Sequence, residues 1–241
     1  MMLKTIVKAE LKNISRDRMY LFFGVYPIIL GVAGYFLIPF LKDTVEPGNI
    51  LPEIVAMLLI LMTGYIFGAL TAFTLLDDKD DNVLMSLKIT PVSVKLYVAI
   101  KLFISFVFGF ISTLVIILAT NFLPDSSFWV ILMISFVGAL QAPGVALIVN
   151  SFSDNKVEGF VIMKMSALIL AFPVIAFFVQ SWQEVFLIFA PGFWSARMIQ
   201  MELITAVETN FTLIVYFILG VIYNLLFSAL FMKLYSKRSN L

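Results

Sequence analysis

The sequence predicts an all-α polytopic membrane protein, and three observations predict it. Hydrophobic residues make up 62% of the 241 and charged residues only 13%, against about 45–50% and 25% in soluble domains. A soluble fold of this size cannot hide so much apolar surface, and the mean hydropathy of +1.06 agrees. Six charge-free windows are long enough to cross a bilayer: 19–41, 54–76, 102–124, 126–153, 165–183 and 209–232. Fourteen of the sixteen Lys and Arg then fall on one side of the membrane. Backbone groups in lipid must be satisfied within the segment, so the spans are helices.

Ahead of the first span, residues 1–18 read as an amphipathic interfacial helix. Leu3, Ile6, Val7, Leu11 and Ile14 recur at three- and four-residue steps, with Lys4, Lys8, Lys12 and Arg16 on the other face. The first apolar run is too long for a signal peptide and lacks a small-residue cleavage site, so it is expected to stay as an anchor. Lys and Arg clustering puts both termini in the cytoplasm of a multi-pass plasma-membrane protein.

In the second span, Gly64-x-x-x-Gly68 with Ala72 offers a small-residue face for close helix packing. The loop that follows, 77–100, is the most informative stretch outside the spans. It opens with Asp77, Asp78, Lys79, Asp80 and Asp81, continues into a short helical pattern at Val83, Leu84 and Leu87, and breaks at Thr90-Pro91. A solvated turn needs only a few polar residues, so a charged helix here reads as a docking element. Asp78-x-Asp80-x-Asn82 imitates a calcium loop but has Val83 where glycine is needed and Ile89 where a glutamate should be.

Pro27, Pro143-Gly144 and Pro173 are candidate kinks, and Gln141 and Asn224 are hydrogen-bonding side chains at depth. Between the fifth and sixth spans, 181–207 carries an apolar piece too short to cross, then Pro191-Gly192, Phe193, Trp194 and Arg197. This pattern reads as a re-entrant segment on the outward side. The chain therefore forms one transmembrane domain, 1–241.

Several chemistries are excluded. Cys and His are both absent, which removes thiol and Ser–His catalysis, Cys or His metal sites and disulfides. All 15 acids lie in loops or at span ends, against the buried carboxylates of ion-coupled transporters. No phosphate-loop motif exists for ATP, and nothing supports nucleic-acid binding.

Leu84-x-x-Leu87-x-x-Thr90-Pro91-Val92-Ser93, followed by Tyr97 and Lys101 and led by Asp78-Lys79-Asp80, resembles the coupling loop of type-two ATP-binding-cassette exporter permeases. The likeness extends over the whole chain: interfacial helix, six spans, coupling helix and outward segment. Asn82, Val83 and Met85 stand where that family usually has Gly, Thr and Glu. The resemblance implies two permease chains, identical or homologous, above two separate ATPase subunits. ATP and Mg would then sit on those ATPases, and this chain would be neither an enzyme nor a cofactor carrier. It implies ATPase contact through Asp78, Lys79, Asp80, Asp81, Leu84, Leu87, Lys88, Thr90 and Pro91. It also implies a path through the first, second and fifth spans, where Phe22, Tyr26, Tyr65, Phe172 and Phe177 suit a hydrophobic or amphipathic substrate. The excess of Lys over Arg, 12 to 4, is similar to Gram-positive permeases of drug and antibiotic exporters. The alternative is a non-transporting scaffold or sensor subunit that anchors a cytoplasmic complex through the same loop.

Overall fold

A computed structural model describes residues 7–8, 12–16, 18–179, 181–204 and 207–238. Most of the expected interfacial helix, residues 1–6, 9–11 and 17, lies outside the described residues. The described chain is helical, with no strand. Six stretches are long and apolar enough to span: Tyr20–Thr44, Leu51–Asp80, Val94–Thr120, Phe128–Phe152, Lys156–Ala176 and Leu213–Arg238, numbered spans 1 to 6. Span 1 is helix α1 (Arg18–Thr44), span 2 is α2 (Leu51–Asp80), and a six-residue helix, α3 (Val83–Lys88), leads into span 3, α4 (Val94–Thr120).

Span 4 is two helices, α5 (Phe128–Ala139) and α6 (Gln141–Phe152), broken at Leu140. Pro143 is the cause: it cannot return a hydrogen bond to the carbonyl four residues back, that of Ala139. Span 5 is α7 (Lys156–Ser166), a 3-10 turn at Ala167–Leu170 and α8 (Ala171–Ala176). Its tightened turn precedes Pro173. A second 3-10 turn (Ser181–Phe186) and α9 (Phe193–Leu203) then lead to span 6, α10 (Leu213–Arg238).

Spans 2 and 4 form the buried axis, and spans 1, 5 and 6 lie around it with few of their residues fully buried. Apolar side chains alone do not draw helices together in lipid, so the axis rests on close approach and hydrogen bonds. A Cβ on Gly64 would lie 2.5 Å from the Gly138 carbonyl oxygen, and one on Gly68 2.6 Å from that of Ala142. The same seam is stitched at both ends. Gln141 Nε2 donates to the Leu61 carbonyl at 2.8 Å, and Asn150 Nδ2 to that of Ala72 at 3.0 Å. Span 3 joins through Thr63 and Thr113, whose hydroxyls meet at 2.5 Å, and through Ser105, which donates to the Phe67 carbonyl.

Two spans sit differently from the charge-free windows. Span 3 begins at Val94 and so contains Lys95 and Lys101, and span 5 begins at Lys156 rather than at 165 and so contains Lys164. A search for uncharged runs misses a lysine that is paired inside the bundle, as Lys101 is. It also misses one whose stem lies along the helix with its head elsewhere. Lys164 Nζ lies 4.4 Å above the Phe160 ring.

Candidate functional site

One end of the bundle gathers α3, the turn between spans 4 and 5 and the end of span 6; we call it the basic end. Asp77, Asp78, Lys79 and Asp80 complete the last turn of α2 rather than forming a loose loop. Each of the first three is committed to another element. Asp78 accepts from Lys101 Nζ at 2.5 Å and from the Tyr97 hydroxyl at 3.0 Å, with Lys101 only 5% exposed. Lys79 pairs with Asp154 at 2.7 Å, and Asp77 with Lys156. Asp154 also receives Arg238 at 2.8 Å, and the other terminal nitrogen of Arg238 donates to the Ser151 carbonyl. The two cations hold the Asp154 carboxyl below its ordinary range, chiefly through the hydrogen bond from Lys79 and then that from Arg238.

Asn82 turns the chain at φ +58°, in the left-handed region that Gly and Asn tolerate best. From there α3 runs with Leu84 buried against Leu75, Leu76, Val94 and Val98. Leu87 is half-buried on the same cluster, and Thr90 closes the far end by donating to the Leu87 carbonyl at 2.7 Å. The outward face consists of Met85, Lys88 and Ile89, flanked by Asp80, Asp81, Thr90 and Pro91. Ile89 is 91% and Met85 67% exposed.

The nine expected contact residues thus separate into two groups. Asp80, Asp81, Lys88, Thr90 and Pro91 face outward together, whereas Asp78, Lys79 and Leu84 are engaged within the chain and Leu87 is half-turned inward. Met85 and Ile89 escaped the sequence reading. Phase around a six-residue helix fixes which apolar residues face out, and six residues are too few to reveal that phase.

The five aromatic residues expected along a path sit in different surroundings. Phe22 lies on the outside of α1 and Tyr26, one turn on, is half-buried. Tyr65 is buried in α2, where its hydroxyl donates to the Met163 carbonyl at 2.9 Å and meets the Ser166 hydroxyl at 3.0 Å. Phe172 packs edge-on against Phe189, and Phe177 is buried beneath α9 with its carbonyl accepting from Gln200.

A second polar site, at the opposite end, went unread. Phe193 to Gln200 of α9 are all buried, and Arg197 is wholly enclosed. Each of its three nitrogens donates at least one hydrogen bond. Nε and Nη2 grip Glu184 Oε2 at 2.9 and 2.8 Å, Nη1 donates to the Ala176 carbonyl and to Gln200 Oε1, and Nη2 also to the Val179 carbonyl. The Tyr216 hydroxyl and Asn210 Nδ2 donate to Glu184 Oε1 at 2.8 and 2.6 Å. The carbonyls at the end of span 5 are the orphans any helix end leaves, and a cation is the favourable partner for them. The sequence signal was faint: a single Arg and a single Glu thirteen positions apart in an apolar segment.

Six apolar spans around a glycine-packed axis, with a short helix held at one end, define a multi-pass membrane protein. The family described as "Fluoroquinolones export permease protein Rv2686c-like" matches residues 10–232, and the chain belongs to that family. Two fluoroquinolones export permease proteins of Mycobacterium tuberculosis, from strains CDC 1551 / Oshkosh and ATCC 25618 / H37Rv, are similar to it. Each is 22% identical over 196 residues, covering 78% of this chain and 77% of its own. No solved structure gives a significant match.

Proposed function

We propose that this chain is the membrane half of an ATP-driven exporter, that two such chains pair, and that separate ATPase subunits act on α3. The observation that carries the reading is the outward face of α3. A helix at the end of a membrane bundle presents Met85 and Ile89 to water between Asp80, Asp81 and Lys88. Apolar anchors inside a charged rim are the anatomy of a protein-docking surface. In this reading the basic end faces the cytoplasm, following the bias of Lys and Arg, and ATP and Mg are bound by the partner. The substrate is hydrophobic or amphipathic, and fluoroquinolones, named for the two mycobacterial relatives, are its first candidates. Phe22 and Tyr26 are the path residues this reading favours, while the hydrogen-bonded Tyr65 and the enclosed Phe177 serve packing.

The test is co-purification in mild detergent from the native host. Wild-type chain should retain a soluble subunit carrying a phosphate loop, and the double variant Met85→Asp with Ile89→Asp should lose it while keeping its thermal unfolding midpoint. Retention of the ATPase by the double variant overturns the assignment of α3. ATP-dependent fluoroquinolone uptake into inverted vesicles then tests the substrate.

A further inference from the structure

Spans 1 and 3 leave a groove between them, lined in two adjoining parts by residues of both helices and of the turn after span 3. Its inner part, about 390 Å³, is walled by Gly31, Tyr35, Phe36 and Ile116, and its outer part, about 530 Å³, reaches Lys42, Asp43 and Asn121. The two share Tyr35, Phe36 and Thr120. Two glycines make the room. A Cβ on Gly24 would have nothing within 4 Å, and one on Gly31 would only reach ordinary contact with Thr120 and Ile116, at 3.7 and 3.8 Å.

Polarity runs along this groove in one direction. The inner part is nearly all hydrocarbon and aromatic ring, whereas the mouth carries a lysine, a carboxylate and an amide. From Lys42 to Val32 is ten residues of α1, roughly 15 Å at about 1.5 Å per residue, which is half of an approximately 30 Å hydrocarbon core. The mouth therefore stands at headgroup level, and the inner part runs from the acyl-chain depth of the near leaflet at Phe36 past the midplane to Gly24, eighteen residues or roughly 27 Å from Lys42. Lys42 complements a phosphate, and Asp43 beside it complements a primary ammonium.

We propose that the groove between spans 1 and 3 is a binding site for one phosphatidylethanolamine molecule. One acyl chain lies along Tyr35 and Phe36 over Gly31, the phosphate sits at Lys42, and the ethanolamine ammonium sits at Asp43. The site rests only on the chain's being embedded in a bilayer and is independent of the ATPase assignment.

The experiment reconstitutes the full chain in nanodiscs with equal phosphatidylethanolamine and phosphatidylglycerol. It then transfers the protein to detergent and counts retained lipids by native mass spectrometry. Wild type should keep one phosphatidylethanolamine per chain. Gly31→Leu, which fills the groove, should reduce retention about tenfold through lost apolar burial, and Gly24→Leu, which has open space, should do so with no penalty to folding. Lys42→Gln, at an exposed position, should weaken retention about fivefold, the effect of one lysine at headgroup depth. Asp43→Asn should abolish the preference over phosphatidylglycerol. Equal lipid retention by wild type and both leucine variants overturns the site. So does a result in which the leucine variants split a dimer and leave the lipid count unchanged, because the groove would then be a seam between two copies.

Discussion

Arg197 and Glu184 meet at a single carboxylate oxygen, through a hydrogen bond from Nε at 2.9 Å and an ion-pair contact from Nη2 at 2.8 Å, with the guanidinium entirely out of solvent. The other oxygen is taken by Tyr216 and Asn210, so the pair ties the segment after span 5 to the start of span 6. Arg197→Leu strands a buried carboxylate and should lower stability by about 3–5 kcal/mol, and adding Glu184→Leu should regain only part of it, because the Ala176 and Val179 carbonyls, Gln200, Tyr216 and Asn210 lose their partners as well. Thermal unfolding in detergent of Arg197→Leu, Glu184→Leu and the double variant checks this. Strictly additive losses would refute the pairing.

Gly64 admits no methyl group, because the atom it would strike is a backbone carbonyl that cannot swing away. Gly64→Ala should cost about 1–3 kcal/mol by forcing spans 2 and 4 apart. Gly24→Ala, with open space around it, should be neutral. The same unfolding assay distinguishes them, and equal midpoints would show that close packing on span 2 is dispensable.

Asn82 occupies a left-handed backbone position at the start of α3. Asn82→Gly should leave stability and ATPase retention unchanged, and Asn82→Val should cost about 1–3 kcal/mol through backbone strain. Equal behaviour of the two variants would mean that α3 does not depend on this turn.

Asp154 bridges Lys79 and Arg238, and its carboxyl titrates below the ordinary value. A lowered folded-state value means that its contribution is complete above the unfolded value, about pH 3.9, and fades as the pH falls through the lower folded one. The carboxylate is more than half exposed, so solvent screening holds the contribution to about 0–1 kcal/mol. The stability difference between wild type and Asp154→Asn should be flat above about pH 4 and shrink toward zero in stronger acid. A difference that grows on acidification would reverse the assignment.

Much of this architecture is written locally. Each span announces itself as a long apolar run, and Gly64 with Gly68 marks the face that meets span 4. Other features depend on partners far away in the chain. Lys101 lies within span 3 because Asp78, twenty-three positions earlier, neutralises it, and no window on span 3 contains that fact. Glu184 and Arg197 read separately as polar residues in an outer segment, and only folding encloses them. The facing of Leu84 inward and Met85 outward is set by one turn of helix at Asn82, whose backbone angle the sequence merely permits.

Span 1 takes part in no ion pair among the described residues, whereas spans 2, 3, 5 and 6 all do. Ionic ties fail in discrete steps, but dispersion contacts yield by many small increments. Span 1 is held instead by packing and by the buried hydrogen bond between the Tyr20 and Thr74 hydroxyls, so its tilt is resisted in smaller steps than that of the ion-paired spans. An acyl chain wedged beside it would act as a spring, so the thickness and unsaturation of the surrounding bilayer would set the resting angle of the first helix.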